Sequence, residues 1–236
     1  MWERAQSPDT EAERIGLRHL LGRLPQDVSR KLLAGERPIK LREGEILFER
    51  GDTGDGCYWL RRGVVAVYVA SAAGEQRILA ILGQNAIVGE LAMIDGLPRS
   101  ASVRALRDCE LTFVSRAAFT DMLRRHPELG NVIVKTLAAR LRQTDEDLTA
   151  SSFRPVGARV ALALLQFVRH LGEDMGSGRV VIRHRFTQSD LAAMAGVARE
   201  SVSRTLREWY RQKIVEGSSR TGLVVHKSRL EGAAEE

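Results

Sequence analysis

Gly44, Gly51, Gly63, Gly74 and Gly83 punctuate the stretch from Ile39 to Val114 at intervals of roughly ten residues, and this rhythm limits the chain more than any other feature. The segments it bounds, EILFERGDTGDG, CYWLRRG and VVAVYVASAAGEQRILAILG, are short and rich in β-branched and aromatic residues; SASVRAL and CELTFVS continue the pattern. A long helix has no room here. Short strands joined by tight turns predict an antiparallel barrel or roll.

Helical spacing flanks this region. Residues 12–35 carry Ile15, Leu17, Leu20, Leu21, Leu24, Val28, Leu32 and Leu33, interrupted by Pro25, and predict two short helices. After Arg116 comes AFTDMLRRH, and then, from Pro127, the long segment ELGNVIVKTLAARLRQTDEDLTASS. Within that segment Val134, Leu137, Leu141, Thr144 and Leu148 step by three and four residues, the seam of a short coiled coil. A helix of about 26 residues is ~39 Å long, too long to lie wholly on a small roll, so it predicts a dimerisation helix. Pro155 and Gly157 in SSFRPVGAR read as an interruption of the helix and a hinge.

The last third has its own character. Residues 154–236 carry 14 Lys and Arg against 9 Asp and Glu, almost the whole of the net charge of +6. Charge gathered in one segment points to a polyanion. In the same segment, FTQSDLAAMAGVARESVSRTLREWYRQKIV contains two short helical patterns around Gly196. Thr187 with Asp190 three residues on is a capping-box start; Leu191, Met194 and Ala195 make one inner face, and Val202, Leu206 and Trp209 the next. The pattern is a helix-turn-helix, followed by the β-prone KIVEGSSRTGLVVHKS. Arg199, Glu200, Ser203 and Arg204 open its second helix on the side away from Val202 and Leu206, where side chains meet base edges in a major groove. Glu200 and Arg204 are also spaced for a plain surface ion pair. Ala198, just before this helix, forgoes a side-chain cap.

Other classes find little support. No apolar run reaches the length of a membrane span, and the charged start MWERAQSPDTEAER lacks a signal-peptide core, so a soluble cytoplasmic protein is expected. Cys57 and Cys109 are far apart and read as buried small residues. His19, His126, His170, His184 and His226 are scattered singly, so no metal or haem ligand set is expected, and no nucleophile or acid–base cluster suggests an enzyme.

One cassette is left, VGELAMIDGLPRSAS at 88–102: a Gly-Glu pair followed nine residues later by Arg-Ser. Together with GVARESVSRTLREW and the roll–helix–hinge order, it makes residues 15–230 resemble the bacterial transcription regulators of the cyclic-AMP receptor protein/FNR type. The resemblance implies an α+β chain: an N-terminal antiparallel β-roll of the cyclic-nucleotide-binding jelly-roll type with its preceding helices at 1–125, a dimerisation helix at 126–152, and a winged helix-turn-helix DNA-binding domain at 153–236.

It further implies a cyclic nucleotide, cyclic AMP with cyclic GMP also possible, held by Gly89, Glu90, Leu91, Ala92, Arg99, Ser100 and Ala101. Thr144 and Asp145 from the dimer helix would meet the base. Chemistry agrees: a cyclic phosphate suits the two-pronged Arg99 guanidinium, Ser100 and backbone N–H groups of a short turn at ELAM add donors, and Glu90 can accept from a ribose hydroxyl. Asp145 stands where the family's adenine-binding receptor has a hydroxyl, and a carboxylate can accept from guanine N1–H and N2–H together. The resemblance also implies double-stranded DNA with TGTGA-like half-sites contacted by Thr187, Gln188, Arg199, Glu200, Ser203 and Arg204, a homodimer, RNA polymerase as partner and no membrane. A structural Arg99–Glu90 salt bridge and a regulator that binds DNA without any nucleotide are the rival readings within the fold. A nucleotide-processing enzyme is the disfavoured one outside it.

Overall fold

In the computed structural model, the described residues are 38–72, 74–127, 154–184, 186–218 and 222–235, with positions 130–131, 134–135, 137–138 and 141–142 between them. Eight strands fill the glycine-punctuated region: β1 (Pro38–Leu41), β2 (Ile46–Phe48), β3 (Gly56–Arg62), β4 (Val65–Ala70), β5 (Gln76–Leu82), β6 (Ile87–Val88), β7 (Ser102–Ala105) and β8 (Cys109–Ser115). They pair antiparallel in two four-stranded sheets, β1-β8-β3-β6 and β2-β7-β4-β5. Leu60, Val65, Val88, Val103, Ala105, Cys109 and Leu111 fill the core of the roll. The turns work as the rhythm predicts; at Gly63, for instance, φ is +100° and a side chain would strike the backbone at Asp108.

The cassette segment ELAMID, expected as a turn, is a six-residue helix, α1 (Glu90–Asp95), between β6 and β7. Helix α2 (Arg116–Arg125) follows β8, capped by the Ser115 hydroxyl accepting from the Ala118 N–H. Positions 130–131, 134–135, 137–138 and 141–142 are helical, in keeping with the long helix read from the sequence; there Val134 and Leu141, one heptad apart, are 64% and 63% exposed. Residues 12–35, Thr144, Asp145 and Leu148 lie outside the described residues.

Pro155 is the N-cap of α3 (Val156–Leu171). Gly157 lies inside its first turn, which corrects the reading of Gly157 as an interruption: only the proline marks a boundary, because only it lacks an N–H. The rest of the chain forms β9 (Gly172–Gly176), β10 (Arg179–Ile182), α4 (Gln188–Ala195), α5 (Arg199–Arg211), β11 (Val215–Ser218), β12 (Gly222–His226) and α6 (Lys227–Glu235). The four strands make one antiparallel sheet, β11-β12-β10-β9, beside the two short helices.

The two halves of the chain share a core. Ala66, Tyr68, Ile78 and Ile81 of the roll belong to the same buried cluster as Leu164, Phe167, Leu191, Val202 and Trp209, and β5 packs on α4. Phe167 and Phe186 stack with ring centroids 4.8 Å apart. No helix among the described residues is long and apolar enough to cross a membrane.

Candidate functional site

The cassette closes on itself because Arg99 is fixed from both ends. Its main chain pairs with the loop before β3, the Arg99 N–H donating to Asp52 O and the Gly51 N–H to Arg99 O, both 2.9 Å. Its side chain, 5% exposed, turns back so that Nη1 donates to Gly56 O (2.7 Å) and Gly89 O (2.6 Å). The guanidinium carbon lies 4.4 Å from the centre of the Phe48 ring and 5.7 Å from that of Tyr58, a cation against two aromatic faces. Gly89 has φ +80°, and a side chain there would meet Arg99 Nη1 at 2.5 Å and the Phe48 ring at 3.1 Å. Only glycine satisfies both the turn and the close approach.

Gly89, Glu90, Leu91, Ala92, Arg99, Ser100 and Ala101, predicted together from the sequence, line a single cavity with Phe48, Val67, Leu82, Val88 and Val103. Glu90 is buried, 4% exposed, whereas Ser100 and Leu91 reach the surface. Arg116 supports the far end of α1, its Nη2 donating to Gly54 O (3.1 Å) and to Ala92 O. The cavity holds about 40 Å³. Pockets for drug-sized ligands run to roughly 300 Å³ or more, so a nucleotide must part these walls to enter. Cys57, buried in β3, has its thiol pushed up to about 12, by burial first and then by the Glu90 charge. It stays a neutral thiol, and Cys57 and Cys109 are both free and buried.

Sequence reasoning passed over Phe48, Tyr58, Val67, Leu82 and Arg116. Phe48, Val67 and Leu82 carry no polar signal, and all five come from outside the cassette; only a predicted strand order would have brought them to it.

The second site is built locally. Thr187 caps α4, its Oγ1 accepting from the Asp190 N–H (3.0 Å) while Asp190 Oδ2 accepts from the Thr187 N–H (2.8 Å), the reciprocal box expected. Gly196 ends the helix at φ +62°, and Arg159 of α3 clamps the turn, donating to Ala195 O (3.1 Å) and Gly196 O (2.6 Å). Leu191, Ala192 and Ala195 are buried under α4, with Met194 at the margin; Val202, Leu206 and Trp209 are buried under α5. Arg199, Glu200 and Arg204 stand exposed on the opposite side of α5, Ser203 is half-buried, and Thr187 and Gln188 sit at the start of α4. Arg204 donates to Ser201 Oγ (3.2 Å). Among the described residues no ion pair joins Glu200 to Arg204, so the plain surface pair is not formed and both side chains are presented to solvent. Ala198 precedes α5 with no side-chain cap, as read. Among the described residues no group of three or more His, Cys, Asp or Glu side chains could hold a metal ion.

Residues 38–126 match the family model of the cyclic nucleotide-binding domain, and residues 158–231 match that of the Crp-like helix-turn-helix domain. The chain is 34% identical over 195 residues to the cyclic AMP receptor protein of Thermus thermophilus, spanning 82% of this chain and 86% of that protein. It is 28% identical over 194 residues to the CRP-like cAMP-activated global transcriptional regulator of Mycobacterium tuberculosis, again 82% and 86%. Among solved structures it is similar to the Thermus thermophilus catabolite activator protein (30% identity, TM-score 0.51, 92% of this chain and 98% of that one). It shares the fold of the c-di-GMP responsive global regulator CLP of Xanthomonas campestris (20% identity, TM-score 0.72, 86% and 99%).

Proposed function

Since the chain belongs to the cyclic-AMP receptor protein/FNR family of transcription regulators, we propose that it is a cytoplasmic homodimer that binds cyclic AMP in the roll and, so loaded, favours palindromic DNA. It is a regulator and not an enzyme. The observation that carries the ligand reading is the convergence of the cassette on Arg99. Two backbone carbonyls accept from Nη1 of that residue, and its guanidinium lines the cavity, a group suited to an oxyanion met with two prongs. A cyclic phosphate is such an oxyanion, and Ser100 and Glu90 stand beside it to serve the phosphate and a ribose hydroxyl.

On the DNA side, Arg199, Glu200 and Arg204 are free to read guanine and cytosine edges of TGTGA-like half-sites, while Thr187 and Gln188 approach the backbone. Exposed Val134 and Leu141 fit a helix seam completed by a second copy, which would set the two half-sites about one helical turn apart. Thr144 and Asp145 are proposed to meet the base from that helix, and RNA polymerase is proposed as the partner on the promoter. The ligand acts by preferring the DNA-competent arrangement; a coupling of about 1–3 kcal/mol gives roughly 5–150-fold tighter DNA binding.

The narrow cavity favours one rival, a family member that binds DNA without a nucleotide. Calorimetric titration with cyclic AMP and cyclic GMP, with and without a palindromic duplex, separates the two. Tighter cyclic AMP binding in the presence of DNA is expected; no heat with either nucleotide would establish the rival. Cyclic GMP is expected to bind as well, and Asp145→Ala to weaken it more than cyclic AMP.

A further inference from the structure

The sheet β2-β7-β4-β5 is a wall shared by two compartments. Strand alternation turns Val67 and Val103 into the cassette cavity, with Phe48 and Leu82. The residues between them face the other way. Ala66 and Tyr68 join the core that holds Leu191 and Trp209, and Arg104 leaves the roll altogether. Its Nη2 meets Asp190 Oδ1 of α4 at 2.8 Å, its Nη1 donates to Gln76 Oε1 of β5 at 3.2 Å, and its guanidinium lies 5.4 Å from the centre of the Tyr68 ring. The ion pair is three-quarters buried on both sides. Asp190 thereby serves two structures with its two oxygens: Oδ2 closes the capping box of the helix-turn-helix, and Oδ1 ties that helix to the roll. Arg77 of β5 reaches the same motif, lying against its turn at Gly196.

We propose that Arg104 is the positioning residue through which the cassette controls the DNA-binding domain, a direct route across one strand that adds to any hinge near Pro155. The proposal rests on the nucleotide reading above. A cavity of about 40 Å³ admits a nucleotide only if its walls move, and Val103 is one of those walls. Displacing Val103 displaces the next residue, Arg104, and a charge-assisted hydrogen bond at 2.8 Å tolerates little displacement. The narrow cavity and the Arg104–Asp190 tether therefore stabilise each other; the widened cavity and a repositioned helix-turn-helix do likewise. Ligand and tether compete for the position of β7 without touching.

The test uses the full chain and its Arg104→Ala, Arg104→Lys and Asp190→Asn variants, with cyclic AMP titrated in the absence of DNA. Arg104→Ala removes a cation and Asp190→Asn removes an anion, so plain electrostatics would move nucleotide affinity in opposite directions. The proposal requires both to bind cyclic AMP about fivefold or more tightly than the parent, with Arg104→Lys returning towards it. Arg104→Ala is also expected to raise DNA affinity without nucleotide about fivefold, although loss of a cation alone would lower it. Unchanged or weaker cyclic AMP binding in both variants, at unchanged melting temperature, overturns the proposal. Should Arg104→Ala fold poorly, Asp190→Asn, whose side chain retains a capping oxygen, decides by the same measurement. If the parent binds no cyclic nucleotide, the function proposed above fails, and the tether is then judged on DNA alone: unchanged or lower DNA affinity of Arg104→Ala overturns it and a rise upholds it.

Discussion

The cassette and the recognition helix make opposite use of arginine. Arg99 is buried, bound to two carbonyls and pressed against aromatic rings, so the roll depends on the same side chain that a ligand would. Arg199 and Arg204 stand in solvent on α5 while Val202, Leu206 and Trp209 hold the helix from behind. In the first site the contacts proposed to serve a ligand also hold the fold; in the second the residues proposed to read DNA and those that hold the helix lie on opposite faces. A residue placed like Arg99 cannot be replaced without cost to the fold, whereas exposed residues like Arg199 and Arg204 can be altered one by one.

The contrast is tested most severely at Arg99. Arg99→Ala should lose nucleotide binding by about 2–5 kcal/mol and also lower the melting temperature, since Gly56 O and Gly89 O lose their donor. Calorimetry and a thermal melt read both; a variant that loses binding and melts like the parent would separate the two roles. Arg204→Ala should cost about 1–3 kcal/mol on the cognate duplex, relax preference at one guanine and leave the melting temperature unchanged. Uniform weakening on every sequence would make Arg204 a phosphate contact.

Smaller effects sharpen the same contrast. Ala198→Ser should supply the missing cap of α5 and raise stability by about 0.5–1 kcal/mol without altering sequence preference, as thermal melts and duplex competition would show. The least effect is expected at His184, half-buried between the two domains. Burial holds its pKa below the usual imidazole value despite Glu43 at 3.8 Å. The unfolded chain therefore takes up the proton first, so the stability His184 contributes is full above pH about 6.5 and is lost as pH falls through the lower folded value. Denaturant titrations between pH 5 and 7 should show a shallower pH dependence in His184→Gln; an unchanged slope would remove His184 as the cause.

What could be read from the sequence follows from how local each signal is. Most strands of the roll were legible because glycines mark their ends, Gly63, Gly83 and Gly89 directly after β3, β5 and β6 and Gly44, Gly51 and Gly74 in the turns after β1, β2 and β4, and the helix-turn-helix because its cap, turn and inner faces lie within thirty residues. Helix α3 was equally legible and was passed over: Val160, Leu164, Phe167 and Leu171 are buried at steps of four, three and four, with the exposed Arg169 on the other side. Phe48 and Tyr58 reach Arg99 only through strand pairing, and Arg104 looked like any outward residue of a strand. The glycine at 157 misleads because a helix tolerates glycine in its first turn, where packing and not propensity decides.

The period of two along β7 and β4 has a consequence for how such a regulator changes over time. Residues facing the cavity and residues facing the DNA-binding domain alternate, so substitutions at Val67 and Val103 alter what the roll admits without rewriting Tyr68 or Arg104. New effectors are therefore open to point mutation. Insertion or deletion of a single residue between Arg99 and Ala105 is not tolerated in the same way, because it would exchange the two sets and send the arginine into the cavity. Lineages of this regulator should accordingly drift in the identity of the wall residues while keeping the length of that strand fixed.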